Sequence, residues 1–89
     1  MAYSSADLSA LCYANGFTLW HYKTADAAVD LDTSGYFDEA AKMLRVGDFI
    51  FLNAGLGGTP TYGTVVVRSV ANGNVDVSNS STFGDINAD

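Results

Sequence analysis

The chain of 89 residues holds one cysteine, one proline, one histidine and only four basic residues. Each shortage excludes something. A single thiol, Cys12, cannot close a disulfide within the chain, so no covalent staple supports the fold and no redox compartment can be read. Lys23, Lys42, Arg45 and Arg68 stand singly against ten acids, for a formal net charge of −6. Nucleic-acid binding needs clustered cations to neutralise phosphates, and these four are scattered. The N-terminal residues lack the basic and apolar regions of an export signal, and no apolar run approaches the length of a membrane span, so neither export nor membrane insertion is expected.

What is present is apolar and compact. Hydrophobic residues make up 48% of the chain, enough for one core in a single domain spanning residues 1–89. A domain this small is only marginally stable alone, which makes help from a partner or from copies of itself plausible. The acidic surface either keeps a monomer soluble or complements a basic partner.

Local patterns predict an α+β fold. Ser4 to Asp7 offers a helix cap and an acidic first turn, and Leu8, Leu11 and Cys12 recur at helical spacing, which predicts an N-terminal helix or arm over 1–15. Phe17 to Lys23 reads as a strand. Residues 24–30 read as loop with at most a helical turn. Tyr36, Phe37, Ala40, Ala41 and Leu44 form one helical stripe, with acids in the first turn and bases in the last, and predict a second short helix. Phe49 to Leu52 is a short apolar run suited to a buried strand. The glycine-rich stretch from Asn53 to Pro60 reads as a flexible connection. Tyr62 to Val70 and Val75 to Ser78, joined at Asn72-Gly73, read as a β-hairpin. Residues 79–89 read as an extended tail anchored by Phe83 and Ile86. The whole is expected to be a small antiparallel sheet or partly open barrel of about four strands, covered by two short helices.

Chemistry-bearing constellations are sparse. Asp30, Asp32 and Ser34, followed by Gly35, match the opening of a calcium loop, but Ala41 stands where the bidentate Glu belongs. A turn in which Ser34 or Thr33 caps the second helix is the preferred reading, and calcium is its rival. His21, between Trp20 and Tyr22, has no nucleophile or orienting acid placed beside it by any signature, and it reads as structural. One His and one Cys fall short of a transition-metal site. The loop from Asn53 to Gly58 lacks the Lys and Ser/Thr of a phosphate loop. No enzyme, metal or cofactor is expected. Interaction surface remains: Tyr3, Leu8, Leu11, Trp20, Tyr22, Leu56 and Phe83 are the candidate partner contacts. Aromatics of this kind serve equally as interface anchors and as core.

The ordered series Gly16-Phe17-Thr18-Leu19-Trp20-His21-Tyr22, Ser34-Gly35-Tyr36-Phe37 with Ala40-Ala41, Leu44-Arg45-Val46-Gly47-Asp48 and Val75-Asp76-Val77 resembles small virion proteins of tailed bacteriophages. The resemblance covers residues 16–78. It implies a capsid decoration (cement) protein, or a related head-fibre base, that is made in the host cytoplasm and ends on the capsid surface. It implies binding across neighbouring major capsid proteins as a homo-oligomer, often a trimer. The alternative is a tail or head-fibre module that recognises a host surface protein or carbohydrate.

Overall fold

In the computed structural model, which describes residues 3–84, two Asn-Gly dipeptides set the course of the chain. Asn15 and Gly16 have φ of 53° and 89°, and Asn72 and Gly73 have φ of 55° and 80°. Positive φ at both central residues is the two-residue turn whose twist matches that of paired strands. The first turn folds β1 (Leu8–Ala14) onto β2 (Phe17–Lys23), with Ala14 opposite Phe17. The second folds β4 (Thr61–Ala71) onto β5 (Asn74–Val77), as the sequence predicts.

The first hairpin replaces the predicted N-terminal helix. Only Ser5–Asp7 is helical, as one 3-10 turn. Leu8 is buried while Leu11 and Cys12 face solvent, so the helical stripe buries nothing as a stripe. A three-turn helix is marginal in water. Pairing with β2 from Leu8↔Tyr22 to Ala14↔Phe17, interrupted by a bulge at Leu11, gives the same backbone groups a ladder instead.

Among the described residues, six strands form one open, mixed sheet in the order β1-β2-β3-β4-β5, with β6 (Ser81–Thr82) beside the first part of β4. It is neither wholly antiparallel nor closed into a barrel. The exception is β2 with β3 (Phe49–Ala54), which run parallel in the register Leu19↔Phe49 to Lys23↔Asn53. Parallel neighbours need a crossover, and residues 24–48 supply it. The crossover contains one α-helix, the single turn α1 (Ala28–Leu31), at the end of the segment read as loop with a helical turn at most.

The second predicted helix is reduced to a 3-10 turn at Asp38–Ala40 flanked by turns. Its stripe does identify the buried residues, since Phe37, Ala40 and Leu44 all lie in the core. The reason it is irregular lies at its start. The Asp38 carboxylate accepts the Val75 N–H at 2.7 Å, and the Gly35 N–H donates to the Val75 carbonyl at 3.3 Å. Bonds to β5 thus fix the start of the segment from outside it, by the Asp38 side chain and the Gly35 backbone. Nor does Thr33 cap the 3-10 turn, because its hydroxyl donates back to the Val29 carbonyl at 3.1 Å.

The crossover covers one face of the sheet. Leu31, Phe37, Ala40 and Leu44 pack with Trp20, Tyr22, Ile50, Leu52, Val65, Val67, Val75 and Val77 in one hydrophobic cluster. At its rim lies Asp48, 1% exposed. Its carboxylate accepts the Thr18 N–H at 3.0 Å, the Trp20 indole N–H at 3.0 Å and the Arg45 N–H at 3.1 Å. One side chain therefore ties β2 to the end of the crossover.

The described part of the tail is also tied down. β6 lies so close to β4 that a Cβ at Gly63 would run into the Ser81 carbonyl oxygen. The Phe83 N–H then donates to the Tyr62 carbonyl at 2.7 Å. Ile86 lies outside the described residues.

Two substitutions test these placements. Asp48→Ala strands three donors, the buried Trp20 indole N–H and the part-buried Thr18 and Arg45 amides, and is expected to cost about 2–4 kcal/mol in urea unfolding followed by Trp20 fluorescence. Gly63→Ala is expected to push β6 away, seen as faster hydrogen exchange at the Phe83 amide, with a loss of about 1–3 kcal/mol.

Candidate binding surface

Three of the seven candidate contacts belong to the core of the monomer. Leu8 and Trp20 are each 9% exposed and Tyr22 is fully buried. Their role as surface anchors is thereby corrected. They alternate along strands whose inner face the crossover covers, and Trp20 spends its indole N–H on Asp48.

Tyr3 is half-buried, with its ring stacked on Tyr22 at 5.6 Å between centroids. It caps a relay of hydroxyls. The Ser4 N–H donates to the Tyr22 hydroxyl at 2.9 Å, and the Tyr36 hydroxyl donates to Asp26 at 2.6 Å. The 3.1 Å contact between the Tyr22 and Tyr36 hydroxyls must then be donated by Tyr22, because the Tyr36 proton is engaged. Such a one-directional chain polarises each bond in turn. Leu56 is half-buried in the glycine-rich connection. That connection is pinned at its start, since the Gly55 and Leu56 N–H groups donate to the Asp26 and Thr24 carbonyls at 2.8 and 3.1 Å.

Leu11 and Phe83 are open, at 54% and 50% exposure. Leu11 belongs to a larger feature. From Ser9 to Phe17 every residue is exposed, so the β1–β2 hairpin projects beyond the core, and it carries Tyr13 at 65% exposure. β1 is also the edge strand, and Leu8 to Tyr22 contains no charged residue. Natural edge strands are usually guarded by charges, proline, short length or bulges against pairing with another chain, and of these β1 has only the bulge at Leu11.

Phe83 leads to the second feature. Its ring meets Phe51 edge-on at 6.2 Å, and Phe17 meets Phe49 in the same way at 6.0 Å. All four rings lie on the sheet face opposite the crossover, together with the half-buried Leu19 and Val66. His21 is on this face too, its Nε2 2.7 Å from Asn53 Oδ1. Sequence reasoning misses Phe17, Phe49, Phe51 and Tyr13 as surface. A counting argument offers the missing signal: one crossover covers one face, so a strand apolar on both faces, as Phe49-Ile50-Phe51-Leu52 is, leaves one face open.

The polar groups around Asp32 and Arg68 are locally satisfied, whereas the buried Tyr3 hydroxyl has no hydrogen-bond partner among the described residues. The Asp32 carboxylate accepts the Ser80 N–H at 3.0 Å, and Arg68 pairs with Asp76 at 2.6 Å. Asp32, Arg68 and Asp76 line an open cleft of about 600 Å³ beside β5. Among the described residues no three His, Cys, Asp or Glu side chains gather as a metal would require. No helix among them is long and apolar enough to cross a membrane. No family model, curated protein or solved structure matches the chain.

The tyrosine relay makes stability depend on alkaline pH. Burial first, then the hydrogen bonds to Asp26 and Tyr22, push the Tyr36 hydroxyl far above its ordinary value of 10.0. Burial, followed by the neighbouring charges of Tyr22 and Glu39, raises Tyr3 as well. Both hydroxyls hold their protons to higher pH in the folded chain than in the unfolded chain, which ionises near 10.0. The folded state therefore binds more protons above that pH, and stability falls as pH rises. Urea unfolding is expected to show a flat contribution up to about pH 9 and a decline beyond it, shallower in Tyr36→Phe.

Proposed function

We propose that the chain is a non-enzymatic virion component, a capsid decoration protein of tailed bacteriophages that binds across neighbouring major capsid proteins. The observation that carries this reading is the uncharged, exposed hairpin from Ser9 to Phe17 at the sheet edge, projecting from an otherwise acidic molecule. Leu11 and Tyr13 are its apolar contacts, and the free edge of β1 adds backbone groups that pair with a partner strand. Support also comes from the sequence series over residues 16–78. Its series GFTLWHY starts in this hairpin and runs along β2 into the core.

A clamp that works on a lattice does not need strong single contacts. Each copy touches several neighbours, and the linked contacts raise one another's effective concentration. A marginally stable domain is stabilised in turn by whatever binds only its folded form.

Co-sedimentation of the purified chain with expanded, empty phage capsids is the test. Saturable binding at a fixed stoichiometry is expected. Leu11→Asp combined with Tyr13→Ala is expected to weaken it about 30-fold or more, as the loss of an interface hot spot does. Because both positions lie outside the core, the double variant should unfold at the wild-type urea concentration. Absence of capsid binding by the folded wild type, with binding to host cells or their surface carbohydrate, would transfer the reading to a tail or head-fibre module.

A further inference from the structure

The open sheet face adjoins the projecting hairpin at Phe17 but lies away from the free edge of β1, and it raises its own question of what covers it. Phe17, Phe49, Phe51 and Phe83 are 36%, 39%, 37% and 50% exposed on it. Side chains that offer roughly 200 Å² each thus leave about 300 Å² of aromatic surface in water. That is already within the range of the largest apolar patch on a typical monomer, before Leu19 and Val66 are added.

We infer that this face stacks on the same face of a second copy of the chain, making a two-fold dimer with the two sheets face to face.

Charge selects the occupant. Positions 17, 19 and 21 of β2, 49, 51 and 53 of β3, and 62, 64 and 66 of β4 point outward and carry no Asp, Glu, Lys or Arg; the exposed Lys23, opposite Asn53, closes the row on β2 and is a base, not an acid. Two copies that each carry −6 repel when their acidic surfaces approach. This face lets them meet without bringing acids together. A basic partner would find no carboxylate among these nine positions, and an anionic lipid surface only the single Lys23 at their margin.

Shape selects the same occupant. A twisted sheet is matched by another sheet of the same twist, laid about 10 Å away and rotated by about 30°, with side chains interdigitated. A second copy supplies that surface, and a two-fold axis makes the patch self-complementary. The crossover already fills the inner face, so the dimer has four layers: crossover, sheet, sheet, crossover.

Area sets the strength. With Leu19, Val66 and the polar residues around them, the face offers about 500 Å² per copy, so the dimer buries about 1,000 Å² in total, the lower limit of specific interfaces. Dissociation in the micromolar range is the expected result, with monomer and dimer both populated in dilute solution.

Sedimentation equilibrium of the full chain from about 5 to 500 µM spans such a range. A monomer–dimer equilibrium is expected, weakened tenfold or more by Phe49→Thr with Phe51→Thr and unaffected by the hairpin variant Leu11→Asp with Tyr13→Ala. Threonine keeps the strand preference of both sites. Should the double threonine variant lose its near-ultraviolet circular dichroism, Phe83→Ala decides, because that half-exposed ring lies outside the core cluster; it should weaken the dimer several-fold. A chain that remains monomeric throughout, a monomer–trimer equilibrium, or a dimer indifferent to the phenylalanine substitutions that stay folded would each overturn the inference.

Discussion

A carboxylate taken out of water must receive several hydrogen bonds, or its desolvation opposes the fold that buries it. Asp48 receives them from three places: Thr18 and Trp20 on β2, distant in sequence, and Arg45 at the end of the crossover. Its own backbone is engaged as well, with its carbonyl accepting the Val67 N–H at 2.9 Å. The residue therefore stands where β2, β4 and the entry to β3 meet. Parallel pairing of β2 and β3 is the step that most needs such a fixed point. Nothing in a parallel pair resembles a tight turn that sets register locally. Aligning Trp20 with Ile50 requires residues 24–48 to return to one place, and the bonds to Asp48 mark that place.

The crossover that Asp48 closes determines which face of the sheet is dry. Its buried side chains, Leu31, Phe37, Ala40 and Leu44, are too few to cover both faces, and all four join the inner cluster. The outer face is left with Phe17, Phe49 and Phe51, partly shielded by one another and by Phe83. The tail reaches this position only because Gly63 permits β6 to lie against β4. A single backbone approach at Gly63 thus adds the fourth ring to the outer face.

Much of this is legible in the residues, and the failures share one cause: local pattern does not carry long-range contact. Strand β2 falls on Phe17–Lys23 as its pattern predicts, and the Asn72-Gly73 hairpin forms where the dipeptide places it. The same dipeptide at Asn15-Gly16 reads as the end of a helix because Leu8, Leu11 and Cys12 happen to lie at helical spacing. Its turn signal is the stronger of the two, since the dihedral requirement is local while three apolar positions fit several structures. The stripe from Tyr36 to Leu44 misleads in another way. It names the buried residues correctly but not the backbone that buries them, because bonds from Gly35 and Asp38 to β5 are long-range and leave no periodic trace. Periodicity also cannot tell that Trp20 and Tyr22 face inward while Phe49 and Phe51 face outward. That depends on which face the crossover takes.

The distribution of charge gives the two open surfaces a common logic. Acids are excluded from Leu8 to Tyr22 and from the outward positions of β2, β3 and β4, while the net charge of −6 is carried elsewhere. Surplus charge of one sign keeps copies apart at long range, within a Debye length of about 8 Å at physiological salt, but it cannot shield apolar rings from water. Association is therefore limited to approaches that bring neutral surface to neutral surface. The hairpin edge and the aromatic face both meet that condition, and they do so with different geometry: one offers a free strand edge, the other a layer of rings packed edge to face. A molecule with both can use its face for a copy of itself and keep its edge for a different protein.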